Sequence, residues 1–65
     1  MTLVAHCIGL TEQEINSIKN TETRAGVSII TQNGLTVIKA KGIYDDLIQL
    51  VSIITTFKTF EVNLQ

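Results

Sequence analysis

The sequence predicts a small α+β domain with its elements in the order β-α-β-β-α-β. Three observations lead to this prediction: an Asn33-Gly34 turn between two β-prone runs, a helix-start signature at Thr11, and a broad apolar helical stripe over residues 43–54. The chain has 65 residues, of which 45% are apolar and none is proline. That length suits one domain, so we treat residues 1–65 as a single unit.

The first predicted strand runs from Thr2 to Ile8 and is apolar on both faces. Alternation places Leu3, Ala5 and Cys7 on one face and Val4, His6 and Ile8 on the other. A strand that is apolar on both faces fits the centre of a sheet better than an edge.

A helix over residues 12–20 follows from a capping box. Thr11 is the N-cap and Glu14 lies three residues later, so each side chain can bond the other residue's free backbone N–H. Asn20 is expected to end the helix in a left-handed conformation.

The Asn33-Gly34 pair predicts a two-residue hairpin turn, because both residues tolerate positive φ. This turn pairs Gln32 with Leu35 and fixes the register of both strands. The face predicted to meet the core carries Val27, Ile29, Ile38 and Ala40. The opposite face is more apolar than water contact requires, and on it we predict an interface formed by Ile30, Leu35, Val37, Lys39 and Lys41.

The second predicted helix, over residues 43–54, begins after Gly42 and has a wide apolar stripe. Tyr44 is expected in the core and Ile53 on the exposed side. A closing strand follows, with Phe60, Val62 and Leu64 alternating with polar residues.

Right-handed crossovers between these elements give a ferredoxin-like βαββαβ sandwich, with strand order 4-1-3-2 and both helices on one face. The alternative is a small antiparallel sheet with one C-terminal helix, should residues 12–20 not be helical. The βαββαβ order resembles the architecture of ACT-type regulatory domains, and this resemblance concerns the fold and not the function.

Composition excludes several function classes. Five basic and six acidic residues give a net charge of −1, which provides no field for a phosphate backbone. One cysteine and one histidine allow neither an intrachain disulfide nor a Cys/His zinc site. No apolar run reaches membrane-spanning length and no export signal is visible, so we expect a cytoplasmic protein without membrane contact.

Catalytic chemistry has little support in the sequence. His6 and Cys7 are neighbours in a strand, so their side chains diverge. Asp45 and Asp46 suit the first turn of a helix, where carboxylates complement the dipole. We therefore expect no enzyme, no catalytic residues, no metal and no cofactor.

The favoured function is a non-enzymatic interaction or regulatory module that acts through protein–protein contacts, as a homo-oligomer or on a protein partner. A small domain without disulfides or metals commonly gains stability from a partner subunit, and a symmetric dimer is the commonest form. The alternative is a small-ligand or RNA-binding module that uses the face bearing Lys39 and Lys41.

Overall fold

A computed structural model describes residues 1–57 and 59–65, with only the backbone of Phe60. The chain forms a small α+β fold with a four-stranded antiparallel sheet and two helices. In chain order the elements are β1 (Thr2–Ile8), α1 (Glu12–Lys19), β2 (Gly26–Gln32), β3 (Leu35–Lys41), α2 (Tyr44–Ile54) and β4 (Thr59–Leu64). The expected core position of the Phe60 side chain lies outside the described residues.

The strands lie side by side in the order β2-β3-β1-β4, and every neighbouring pair is antiparallel. Read from the β4 edge, the order is 4-1-3-2. The central position predicted for β1 is confirmed, and β2 and β4 form the two edges.

The β2–β3 hairpin has the predicted turn and register. Asn33 has φ 52° and Gly34 has φ 79°, both in the left-handed region that a two-residue hairpin turn of this type needs. Gln32 pairs with Leu35 and Ile30 with Val37, as the two-residue turn requires. The local sequence signal therefore determines the geometry of half the sheet.

Helix α1 begins with the predicted capping box. The Thr11 backbone N–H donates to Glu14 Oε1 at 2.8 Å, and the Glu14 N–H donates to Thr11 Oγ1 at 3.2 Å. The single-helix alternative is therefore wrong. The left-handed stop at Asn20 is also wrong, since Asn20 has φ −88° and ψ 0°. The chain leaves the helix through a tight turn instead, in which the Thr21 N–H donates to the Ile18 carbonyl at 3.3 Å.

The core lies between one face of the sheet and both helices. Strands β1 and β3 supply alternate residues, and the helices cover them with leucine and isoleucine side chains. The buried apolar residues are Leu3, Ala5, Cys7, Ile18, Ala25, Ile38, Ala40, Leu47, Leu50 and Ile54.

Two exposure predictions for α2 are wrong for one reason. Tyr44 is 54% exposed, whereas Ile53 is partly buried against the core. Asp46, which is 9% exposed and contacts Arg24, lies on a covered side of α2. Ile53 lies two turns beyond Asp46 on that covered side, whereas Tyr44 lies on the other flank of the stripe. A stripe shows the width of an apolar surface but not which flank a neighbour covers.

Candidate functional site

All five predicted interface residues lie on the sheet face turned away from the helices, which we call the open face. Strand pairing arranges this face in rows across the sheet. One row contains Ile30, Val37, His6 and Glu61, and the row beside it contains Ser28, Lys39, Val4 and Asn63. Leu35 lies between Gln32 and Ile8 in a third row, and Lys41 lies between Gly26 and Thr2 in a fourth.

Apolar side chains occupy the half of the open face nearest the hairpin turn. Ile30 is 57% exposed, Ile8 55% and Leu35 36%. Val37 lies between them and is half-buried, and Val4, also half-buried, lies in the next row opposite Lys39. Ile8 belongs to this group although the sequence analysis left it out of the interface, because only the β1–β3 register shows that Ile8 lies opposite Leu35.

The other half of the open face is basic. Lys39 lies opposite Ser28, Lys41 lies opposite Gly26, and both lysines are exposed. Together with Thr2 and the Ala40 backbone position these residues line a shallow depression of about 210 Å³. In the described part of the chain no carboxylate lies within ion-pair distance of either lysine.

His6 and Glu61 form the polar edge of the open face toward β4. His6 Nδ1 lies 3.8 Å from Glu61 Oε2, and the Asn63 side-chain amide donates to Glu61 Oε1 at 2.9 Å. Sequence reasoning missed this pair because β1 and β4 are distant in the sequence and no local signal fixes their register.

The His6-Cys7 pair is divided between the two faces of β1. Cys7 is fully buried in the core, where its Sγ lies 3.8 Å from Thr59 Oγ1, whereas His6 lies on the open face. The structure therefore does not bring the thiol and the imidazole together. Among residues 1–57 and 59–65 no group of three or more His, Cys, Asp or Glu side chains could hold a metal ion.

The adjacent aspartates of α2 have different surroundings. Asp45 is exposed, whereas Asp46 is 9% exposed and its Oδ2 lies 3.7 Å from Arg24 Nε. Both lie in the first turn of α2, as predicted. The Arg24–Asp46 contact borders an open depression of about 470 Å³, formed mainly by the loop of residues 20–24. Sequence reasoning missed Arg24, since nothing local links this loop to α2.

A second exposed apolar group lies at the start of α2, on the helix side of the molecule. Ile43 is 56% exposed, Tyr44 54% and Ile48 37%. Tyr44 and Ile48 are one helical turn apart and therefore neighbours on the helix surface. This group is separated from the open face by the sheet itself.

No protein-family model, curated protein sequence or solved structure matches this chain. Neither described helix has the length and apolar character needed to cross a membrane.

Proposed function

We propose that this protein is a non-enzymatic interaction module that assembles with a second copy of itself through the open face. The observation that carries the proposal is the apolar half of that face, where Ile8, Ile30 and Leu35 are exposed around half-buried Val37. Contiguous exposed apolar patches on soluble domains commonly mark interaction sites.

The small size of the domain supports a second copy of the chain as the partner that covers the open face. A domain of 65 residues buries only about 60% of the surface that its unfolded chain exposes. Its one cysteine is free, so no intrachain disulfide adds stability. A second sheet packed about 10 Å away would convert the open face into a second core layer.

The dimensions of the molecule also support a second copy as the partner at the open face. Its principal extents are 30 × 21 × 18 Å, so a broad face has roughly the area that a standard interface takes from each partner, about 800 Å². Lys39 and Lys41 at one end and Glu61 at one edge would lie at the rim, where charges favour one register over others.

The proposal extends to the fold family and the compartment. The strand order and the common core of both helices support a ferredoxin-like sandwich, an architecture compatible with a regulatory module. The free thiol of Cys7 supports a reducing compartment, and we place the module in the cytoplasm.

Val37→Glu tests the proposed interface. Val37 lies between Ile30 and His6 in the middle of the open face, so a carboxylate there would be desolvated in the assembly. We expect the variant to lose the contact across the open face and to sediment at a lower mass than the wild type, with helical circular dichroism close to that of the wild type. Gln49→Glu is the matched control, because it adds the same charge at an exposed position on α2. A Val37→Glu variant that assembles like the wild type would overturn the proposal.

A second candidate function is binding of a small anionic ligand or RNA at the basic half of the open face. The observation that favours it is the depression beside Lys39 and Lys41, where no described carboxylate neutralises the ammonium groups. This candidate predicts salt-sensitive retention on heparin that is lost in Lys39→Gln/Lys41→Gln. Lys19→Gln, exposed on α1, is the control. Absence of retention at low salt would exclude this candidate.

A further inference from the structure

Strand β2 is an edge strand without the usual protection against pairing. Among the described strands its one neighbour is β3, and its seven residues Gly26–Gln32 include no charged residue and no proline. Natural edge strands are commonly guarded by lysines, prolines or bulges. The opposite edge, β4, carries Glu61 and an irregular register.

The hairpin register shows which backbone groups of β2 point away from the sheet. Gln32 and Leu35 flank the two-residue turn and therefore form a hydrogen-bonded pair. Hydrogen-bonded residues alternate along the strand. The N–H and C=O groups of Val27, Ile29 and Thr31 consequently point outward from the edge.

Side-chain burial is also incomplete along this edge. Val27 and Ile29 lie on the core face but are only half-buried. Their partners on β3, Ala40 and Ile38, are 2% and 0% exposed. A further strand beside β2 would cover the exposed flank of the core at this position.

We propose that β2 pairs antiparallel with β2 of a second copy, about a two-fold axis at Ile29. In this register Val27 lies opposite Thr31 of the second copy, and Ile29 lies opposite its own equivalent. The outward N–H and C=O groups of one β2 strand then all form hydrogen bonds with those of the other. The strand has no charge, so two copies meet without repulsion, whereas pairing β4 with itself brings two Glu61 carboxylates near one axis.

This contact goes beyond the proposed function, because the β2 edge and the open face are different surfaces. Edge pairing places Ile30 opposite Ser28 of the second copy on the open-face side. The two open faces then form one continuous surface across an eight-stranded sheet. The edge contact and the face contact are geometrically compatible, since the first uses backbone groups and the second uses side chains.

Backbone amide exchange followed by NMR on the full chain tests the edge contact directly. We expect the amides of Val27, Ile29 and Thr31 to exchange at least roughly tenfold more slowly at high protein concentration than on dilution. The amides of Ser28, Ile30 and Gln32 already bond to β3 and serve as internal controls. Rapid exchange of the three outward amides in a sample that is assembled would overturn the edge contact and leave the face contact standing.

Thr31→Pro removes one outward N–H but no backbone hydrogen bond to β3. Thr31→Ala is its control because it retains the N–H and, like the proline variant, loses only the side-chain hydrogen bond between Thr31 Oγ1 and Thr36 Oγ1. We expect Thr31→Pro to weaken self-association by roughly tenfold or more, and Thr31→Ala to leave it nearly unchanged. Equal association of Thr31→Pro and Thr31→Ala, with Val37→Glu still lighter than the wild type, would overturn only the edge contact. A wild-type chain that remains monomeric at every concentration would overturn both proposals. If Thr31→Pro fails to fold, the amide-exchange measurement on the wild type decides whether the edge contact forms.

Discussion

A single hydroxyl group determines where the first helix begins. Thr11 Oγ1 accepts from the Glu14 N–H, and the Glu14 carboxylate accepts from the Thr11 N–H. Without these bonds two backbone donors at the start of an eight-residue helix would depend on water alone. Such a short helix has little intrinsic stability, so its cap and its buried Ile18 contribute much of the free energy that keeps it folded.

Thr11→Ala is therefore expected to lower the free energy of unfolding by about 0.5–2 kcal/mol. Thr11→Ser is the matched control, since serine retains the accepting oxygen and should cost much less. Urea unfolding monitored by circular dichroism measures both variants. Identical midpoints for Thr11→Ala and the wild type would show that the cap does not stabilise the fold.

Residue-level predictions succeeded where the signal was local and failed where it was distant. The capping box and the turn depend on residues three or fewer apart, and both are confirmed. The His6–Glu61 and Arg24–Asp46 contacts join residues from different elements. Charge alone could not select these partners, because six acidic residues are available to each cation.

Among the elements, the β2–β3 hairpin is determined most strongly by its own residues. Asn33 and Gly34 both adopt positive φ, and the register of every pair from Gln32–Leu35 to Gly26–Lys41 follows from that turn. The register in turn decides that Ile30 and Val37 lie on the open face. The candidate interface therefore depends on a turn located at the end of the sheet.

Gly34→Ala should destabilise the fold by about 1–2 kcal/mol, because a Cβ is strained at φ 79°. Gly26→Ala is the control, since a Cβ there meets no atom within 4 Å and φ is not positive. That control should be neutral or slightly stabilising. Thermal unfolding of both variants measures the difference, and equal losses of stability would contradict the role assigned to the turn.

Helix α2 shows what periodicity leaves undetermined. The stripe predicted a helix, and the structure has one over Tyr44–Ile54. Its apolar residues extend over more of the helix surface than its neighbours cover, so Leu47 and Leu50 are fully buried while Tyr44 and Ile48 stay exposed. Which flank is covered depends on how the helix packs against the rest of the fold, which no pattern within α2 encodes.

For the whole molecule, the strand order could be anticipated from the element order. Crossovers through α1 and α2 restrict the possible sheets, and the apolar character of β1 on both faces favours a central position. The function is harder to predict from the sequence than the strand order, because the open face combines an apolar half with a basic half. Each half suggests a different partner. Size favours the apolar half, since a chain of 65 residues gains the most from a second layer.

Self-association of the protein is measured most simply through the mass of the native particle. Sedimentation equilibrium over a range of protein concentrations gives this mass without reference to shape. The account predicts a particle of at least twice the 7.2 kDa chain mass at high micromolar concentration, dissociating toward the monomer on dilution. A particle of 7.2 kDa at every concentration would contradict it.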